Sequence, residues 1–262
     1  MKAIFPLIFL LVACDQQAAP PTNQAASAQP PAQPAEAAAK PFVAEEKNEL
    51  IDFHFGWSAE ATAVPQLVER FRADLDKAKA ELIAGANTDK AYRDKEGYDF
   101  HPHSSSTDYK TAGETARLLS LAAEIASYTG GAHGNYGTSA LLWDRSAAKE
   151  IKAADLFAAT GNMDRRLTQP WCDALNKARE EKRGEPVSGD GMFDECPALG
   201  DISIIPTDKD GNGKFERLQL VADPYVAGPY AEGSYEIELP VNGDLVAAIR
   251  SDYQPSFELQ PQ

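Results

Sequence analysis

Ile51-Asp52-Phe53-His54-Phe55-Gly56-Trp57 alternates large apolar side chains with polar or small ones. A period of two sends Ile51, Phe53, Phe55 and Trp57 to one face of a strand. The period then changes. Val64, Leu67, Val68, Phe71, Leu75, Ala78 and Leu82 fall on one stripe at helical spacing, with Pro65 suited to a first turn and Gly85 to the end. The pattern predicts an amphipathic helix packed on a sheet. Downstream, 117–128 and 136–143 read as two strands around the break Thr129-Gly130-Gly131-Ala132-His133-Gly134, where glycine bends the chain. A short helix is expected over 153–159 and a longer one from near Thr168, with Pro170 in its first turn, Leu175 and Ala178 inward and a solvated charged end at 179–183. Segments 202–204, 215–221 and 234–241 are short strands suited to antiparallel pairing. Runs of strands with helices inserted, rather than strict alternation, predict an α+β fold of antiparallel sheets with packed helices.

The 262 residues are 43% hydrophobic and 9% aromatic, enough to build a core and to exclude a wholly disordered chain. Asp and Glu number 40 against 25 Lys and Arg, a net charge of −15 that argues against nucleic acid as a partner and favours cationic partners or a metal ion. Lys2 followed by the apolar run Ile4–Ala13 reads as a secretory signal over 1–13, about half the length of a membrane span. Leu11-Val12-Ala13-Cys14 resembles the bacterial lipobox, which makes Cys14 the expected lipidation site and leaves a mature charge of −16 once Lys2 is removed. Asp15 resembles the signal that retains enteric lipoproteins in the inner membrane. From 14 to 41 the chain is a tether rich in Ala, Gln and Pro, able to reach roughly 80 Å in a polyproline conformation. The expected location is the bacterial cell envelope, with the folded part periplasmic and held to the membrane by the lipid. In that oxidising space Cys172 and Cys196 either form one bridge or remain free thiols, and the bridge is favoured. Two subdomains are expected, 42–145 and 146–262.

Several groups invite chemistry. Asp208-Lys209-Asp210-Gly211-Asn212-Gly213-Lys214-Phe215-Glu216 fits the front half of a calcium loop, with oxygen donors at Asp208, Asp210, Asn212, the Lys214 carbonyl and Glu216. Position twelve is Gln219 where a bidentate Glu is normal, and a solvated hairpin tip would use the same residues. His133 could act as a base, but no Gly-x-Ser-x-Gly elbow or His-Glu-x-x-His pair accompanies it, so no catalytic residue is assigned. His101-Pro102-His103 offers two imidazoles on one side of an extended segment. Tyr225, Tyr230 and Tyr235 read either as a recognition cluster or as packing at the edge of the core.

Tyr128-Thr129-Gly130-Gly131-Ala132-His133-Gly134, then Ala154-Asp155-Leu156-Phe157, then Pro224-Tyr225-Val226-Ala227-Gly228-Pro229-Tyr230-Ala231-Glu232-Gly233 follow one another at a spacing that resembles a known domain pair. It is the RsiV-type and PdaC-type extracytoplasmic pair, shared by a lysozyme-sensing anti-sigma factor and by peptidoglycan deacetylases. The resemblance runs from about Leu50 to Phe257. It does not extend to a sigma-binding segment, a deacetylase domain or the insert bearing Cys172 and Cys196. It implies a non-catalytic binding or sensing module, for lysozyme or another basic protein acting on the cell wall. The residues expected at the contact surface are Tyr128, Gly130, Gly131, His133, Gly134, Tyr136, Tyr225, Tyr230 and Glu232. An enzyme acting on cell-wall glycan and a structural spacer lipoprotein are the competing expectations.

Overall fold

The alternating stretch forms strand β2 (Ile51–Trp57), whose Ile51, Phe53, Phe55 and Trp57 are all buried. In the computed structural model, which describes residues 39–260, β2 lies second in a six-stranded sheet ordered along the chain. The others are β1 (Phe42–Lys47), β3 (His103–Glu114), β4 (Leu118–Tyr128), β5 (Asn135–Asp144) and β6 (Lys149–Ile151). Neighbours pair antiparallel except β2 and β3, which are parallel. A parallel pair needs a long crossover, supplied here by helix α2 (Pro65–Glu96), which follows the single turn α1 (Ala59–Thr62). The expected signal segment and Cys14 lie outside the described residues.

The helix runs well past Gly85 and ends at Gly97, whose φ of 75° is the left-handed cap conformation. Tertiary contacts explain the extension. Ala86 is fully buried, and His103 Nε2 on β3 lies 3.1 Å from Asp89 Oδ2. Arg93 donates from Nε to Asp89 at 2.7 Å and from Nη2 to the Gly130 carbonyl at 3.1 Å. His103 is therefore a core residue, 4% exposed, and does not form a paired imidazole site with the exposed His101.

Alternation along β4 and β5 gives the sheet two buried faces. Leu119, Leu121, Leu141 and Trp143 pack under α2 with Leu67 and Phe71, while Leu118, Leu142 and Ile151 join the core of the second half. Each large side chain taken wholly out of water contributes about 2 kcal/mol. The second half is built from α3 (Asn162–Arg183), a three-stranded antiparallel sheet of β7 (Ser203–Thr207), β8 (Arg217–Ala222) and β9 (Tyr235–Pro240), and α4 (Gly243–Ala248). Strand β7 packs against β3, β4 and β5, so the two sheets share one interior.

Helix α3 begins at Asn162, earlier than the sequence predicts, and carries Pro170 inside it. Leu167, Trp171, Leu175 and Arg179 continue one inward stripe across the proline, and their burial overrides its cost. Arg179 is 0% exposed, which corrects the expectation of a solvated helix end. Cys172 and Cys196 form the disulfide, with Cα atoms 5.6 Å apart. The expected helix over 153–159 is a single 3₁₀ turn, Ala153–Leu156. No helix of the described residues is long and apolar enough to cross a membrane.

Candidate recognition surface

The β4–β5 hairpin and the 224–233 loop, distant in sequence, meet at one edge of the molecule. Gly130 turns the chain at a φ of 81°. Beyond it the Gly134 carbonyl accepts two hydrogen bonds, from Tyr230 Oη at 2.7 Å and from His133 Nδ1 at 2.8 Å. The second fixes the proton of His133 on Nδ1. Tyr230 is the hub: His133 stacks on it at 4.0 Å between ring centroids, Tyr136 meets it edge-on at 5.8 Å and Tyr225 lies 5.7 Å away. Tyr136 and Tyr225 remain 45% and 56% exposed. Tyr225 holds a φ of 71°, a conformation that costs a side-chain-bearing residue on the order of 1 kcal/mol.

The last turn of α3 holds this loop in place. Arg179 donates to the Ala227 carbonyl from Nη2 at 2.9 Å and from Nε at 3.0 Å, and to the carbonyls of Asp194 and Glu195. Lys182 Nζ donates to the carbonyls of Glu232 at 2.8 Å and Ser234 at 2.7 Å. Arg183 pairs with Asp194 at 2.8 Å and with Glu232 at 3.0 Å. Glu232 also accepts from Tyr235 Oη. Burial would raise the Glu232 carboxyl, but the bonds from Arg183 and Tyr235 outweigh it and hold it low. Burial, with Glu232 beside it, pushes the Tyr235 phenol up to about 12. Glu232 and Tyr235 thus brace the loop from inside. Tyr235, 1% exposed, belongs to the core and not to the tyrosine cluster.

Beside the aromatic cluster runs a groove of about 560 Å³ between the two sheets. Its walls include His54, Asp108, Glu124, Ile125, Tyr136, Thr138, Gln219 and Glu236. Among the described residues lining it there are three carboxylates and neither lysine nor arginine. Lys110, on a neighbouring position of β3, reaches Glu124 at 2.5 Å from outside the lining. One wall depends on Gly137: a Cβ there would lie 2.5 Å from Asp223 Oδ2, whose carboxylate accepts the Thr138 N–H at 2.9 Å. Burial pushes the Asp223 carboxyl above its ordinary value, with Glu236 adding to the effect. Tyr136 belongs to both the groove and the aromatic cluster, so the two form one surface.

Of the residues expected at a contact surface, His133, Gly134, Tyr136, Tyr225 and Tyr230 are brought together. Gly130 shapes the turn, Gly131 has open space on most sides, and Tyr128 lies half-buried where β4 ends. The groove carboxylates Asp108, Glu124 and Glu236 went unread in the sequence. They sit on three strands, and only the pairing of β3 with β4 and the approach of the second sheet bring them into one place. At the other end of the second sheet, carboxylate oxygens of Asp208, Asp210 and Glu216 lie within 4.8 Å of one another. Gln219, expected as the twelfth position of that loop, instead faces the groove and donates to Glu236 at 3.1 Å.

The family model described as "Deacetylase PdaC" matches residues 32–136, a span that takes in β1–β4 and the hairpin. That match covers less than half of the chain. A DUF3298 family protein from Pseudomonas aeruginosa PAO1 has a similar structure, with a TM-score of 0.50 at 16% identity over 85% of this chain and 97% of that one. A DUF3298 family member from Bacteroides fragilis gives a TM-score of 0.49 at 15% identity over 83% and 95% of the two chains. At 16% identity the first of these likenesses speaks for the fold alone. No curated protein matches the chain. The matched span thus includes the hairpin side of the aromatic cluster, whereas Tyr225 and Tyr230 lie in the segment beyond it.

Proposed function

We propose that the folded unit is a non-catalytic binding module of the bacterial envelope, tethered through a lipid on Cys14, that takes a basic protein such as a lysozyme. The observation that carries this reading is the continuity, through Tyr136, of exposed tyrosines with a groove walled by Asp108, Glu124 and Glu236. Tyrosine offers large contact area at small entropic cost, and three groove carboxylates faced by the single ammonium of Lys110 leave a net negative wall that attracts a cationic partner. A net charge of −15 extends that attraction beyond the contact itself. The conformation of Tyr225 supports the reading too, because backbone strain of this kind concentrates where display matters.

Calorimetry of the chain with lysozyme, at low and at physiological salt, tests the proposal. Nonspecific attraction fades once the Debye length falls to about 8 Å. Specific recognition persists there and is weakened about tenfold or more by Tyr230→Ala, a loss of roughly 1.4 kcal/mol. Disappearance of binding at physiological salt, or indifference to Tyr230→Ala and Glu236→Gln alike, would overturn it. Acetate or sugar released from peptidoglycan and abolished by His133→Ala would replace it with an enzyme.

A further inference from the structure

We infer that the β7–β8 connection, Asp208 to Glu216, is a calcium site that clamps the C-terminal segment onto the first sheet. Three acidic side chains in a turn would alone be a solvated hairpin tip. Glu216 makes the difference. It is 2% exposed, its Oε1 accepts the Lys209 N–H at 2.8 Å within the loop, and its Oε2 is a buried side-chain oxygen without a hydrogen-bond partner among the described residues. An ionised carboxylate buried with one oxygen unpaired is strongly disfavoured unless a cation meets it.

The nearby basic side chains do not supply that cation. Lys209 Nζ turns away to Glu238 at 2.8 Å, and Lys214 Nζ donates to the Pro255 carbonyl. Arg145, which lines the adjoining pocket, is committed to Glu114 at 2.6 Å and to the Thr115 carbonyl at 3.1 Å. What remains around Glu216 is oxygen: the carboxylates of Asp208 and Asp210, within 4.8 Å, with the exposed amide of Asn212 beside Asp210. A donor set of oxygen alone suits a hard divalent ion, and calcium tolerates the irregular geometry of a hairpin better than magnesium does. Asn212 Nδ2 donates to Asp210 at 3.1 Å and to Glu258 at 2.8 Å, so the ion requires this amide to turn its oxygen inward. Asp208 already closes the loop by accepting the N–H groups of Gly211 at 2.8 Å and Gly213 at 2.9 Å.

The clamp follows from what the loop touches. Asp208 N donates to the Ala112 carbonyl on β3 at 3.1 Å, and Phe215 N donates to the Ser256 carbonyl at 2.8 Å. A Cβ on Gly113 would stand 2.7 Å from Asp208 N, so strand and loop are in direct contact. An ion here draws together β3, the hairpin and the chain around 256–258. This site lies apart from the groove and does not depend on the function proposed for it.

The test is calorimetric titration of the full chain, stripped with EDTA, with calcium chloride, alongside melting temperatures. One ion per chain is expected, with a dissociation constant of about 10⁻⁴ to 10⁻³ M, the range of extracellular modules, and a melting temperature that climbs with calcium. Asp210→Ala removes an exposed ligand, so it should weaken binding at least tenfold while melting like the wild type in EDTA. Glu216→Gln should abolish the calcium response and, having lost a buried charge, melt no lower than the wild type in EDTA. No heat and no melting shift up to about 10 mM calcium, or an undiminished response in both variants, overturns the inference.

Discussion

The most deeply buried carboxylate among the described residues, Asp144, closes the seam between the first sheet and the C-terminal segment. It is 0% exposed and accepts from Arg117 Nη2 and from Tyr253 Oη, both at 2.9 Å, and from the N–H groups of Ser146 and Ala147. Burial alone would raise its carboxyl, but the bonds from Arg117, Ala147 and Tyr253 win and hold it at about 2. The folded value is below the unfolded one, so the stabilisation is present above pH about 4 and is lost as pH falls towards about 2. Its size is about 2 kcal/mol. Denaturant unfolding across that pH window should show Asp144→Asn less stable than the wild type near neutrality and flatter in its acid dependence. Parallel pH curves for the two proteins would contradict this role. Asp194 is likewise held at about 2, chiefly by the Gly191 N–H and the Ser188 hydroxyl, and should add to the acid sensitivity.

Among the elements, α3 does the positioning, and its last turn is where charge outweighs amphipathic pattern. A residue such as Arg179 in a run of charges reads as solvent-facing, because nothing local reveals that the carbonyls of Asp194, Glu195 and Ala227 converge on it. Replacing it with leucine strands those carbonyls and should destabilise the fold by about 3 kcal/mol. The loss should be largest in the 224–233 loop, so amide exchange there should accelerate more than in β4 and β5. Uniform acceleration, or none, would show that α3 does not hold the loop. Legibility elsewhere followed the same division. β2 and α2 were readable because burial on one face imposes a period on their side chains, and β4 and β5 because their apolar runs, buried on both faces, flank a glycine-rich break. β3 was not, since its run His103-Ser104-Ser105-Ser106-Thr107-Asp108 is polar and is a strand by pairing on both sides with β2 and β4. β1 is an edge strand with charged positions facing out, and it merges in composition with the tether before it. The tyrosines of the candidate surface could be singled out as residue types. The groove could not, because its carboxylates are joined by strand pairing and sheet packing rather than by spacing.

Over the whole molecule, two sheets share one interior and leave an acidic groove between them, with tyrosines at its mouth. The disulfide restrains the insert beside α3, and a closed loop of its span, with a sequence separation of 24, restricts the unfolded chain by about 3.5 kcal/mol. The result is a braced scaffold that displays a few strained or exposed rings. If that surface binds a basic protein, its footprint must bridge both halves of the chain. Hydrogen–deuterium exchange of the chain with and without lysozyme at physiological salt reads this directly. Protection confined to residues 122–138 on the hairpin side and 219–236 on the loop side is the result expected here. No protection, or protection elsewhere such as along the exposed face of α2, would contradict it.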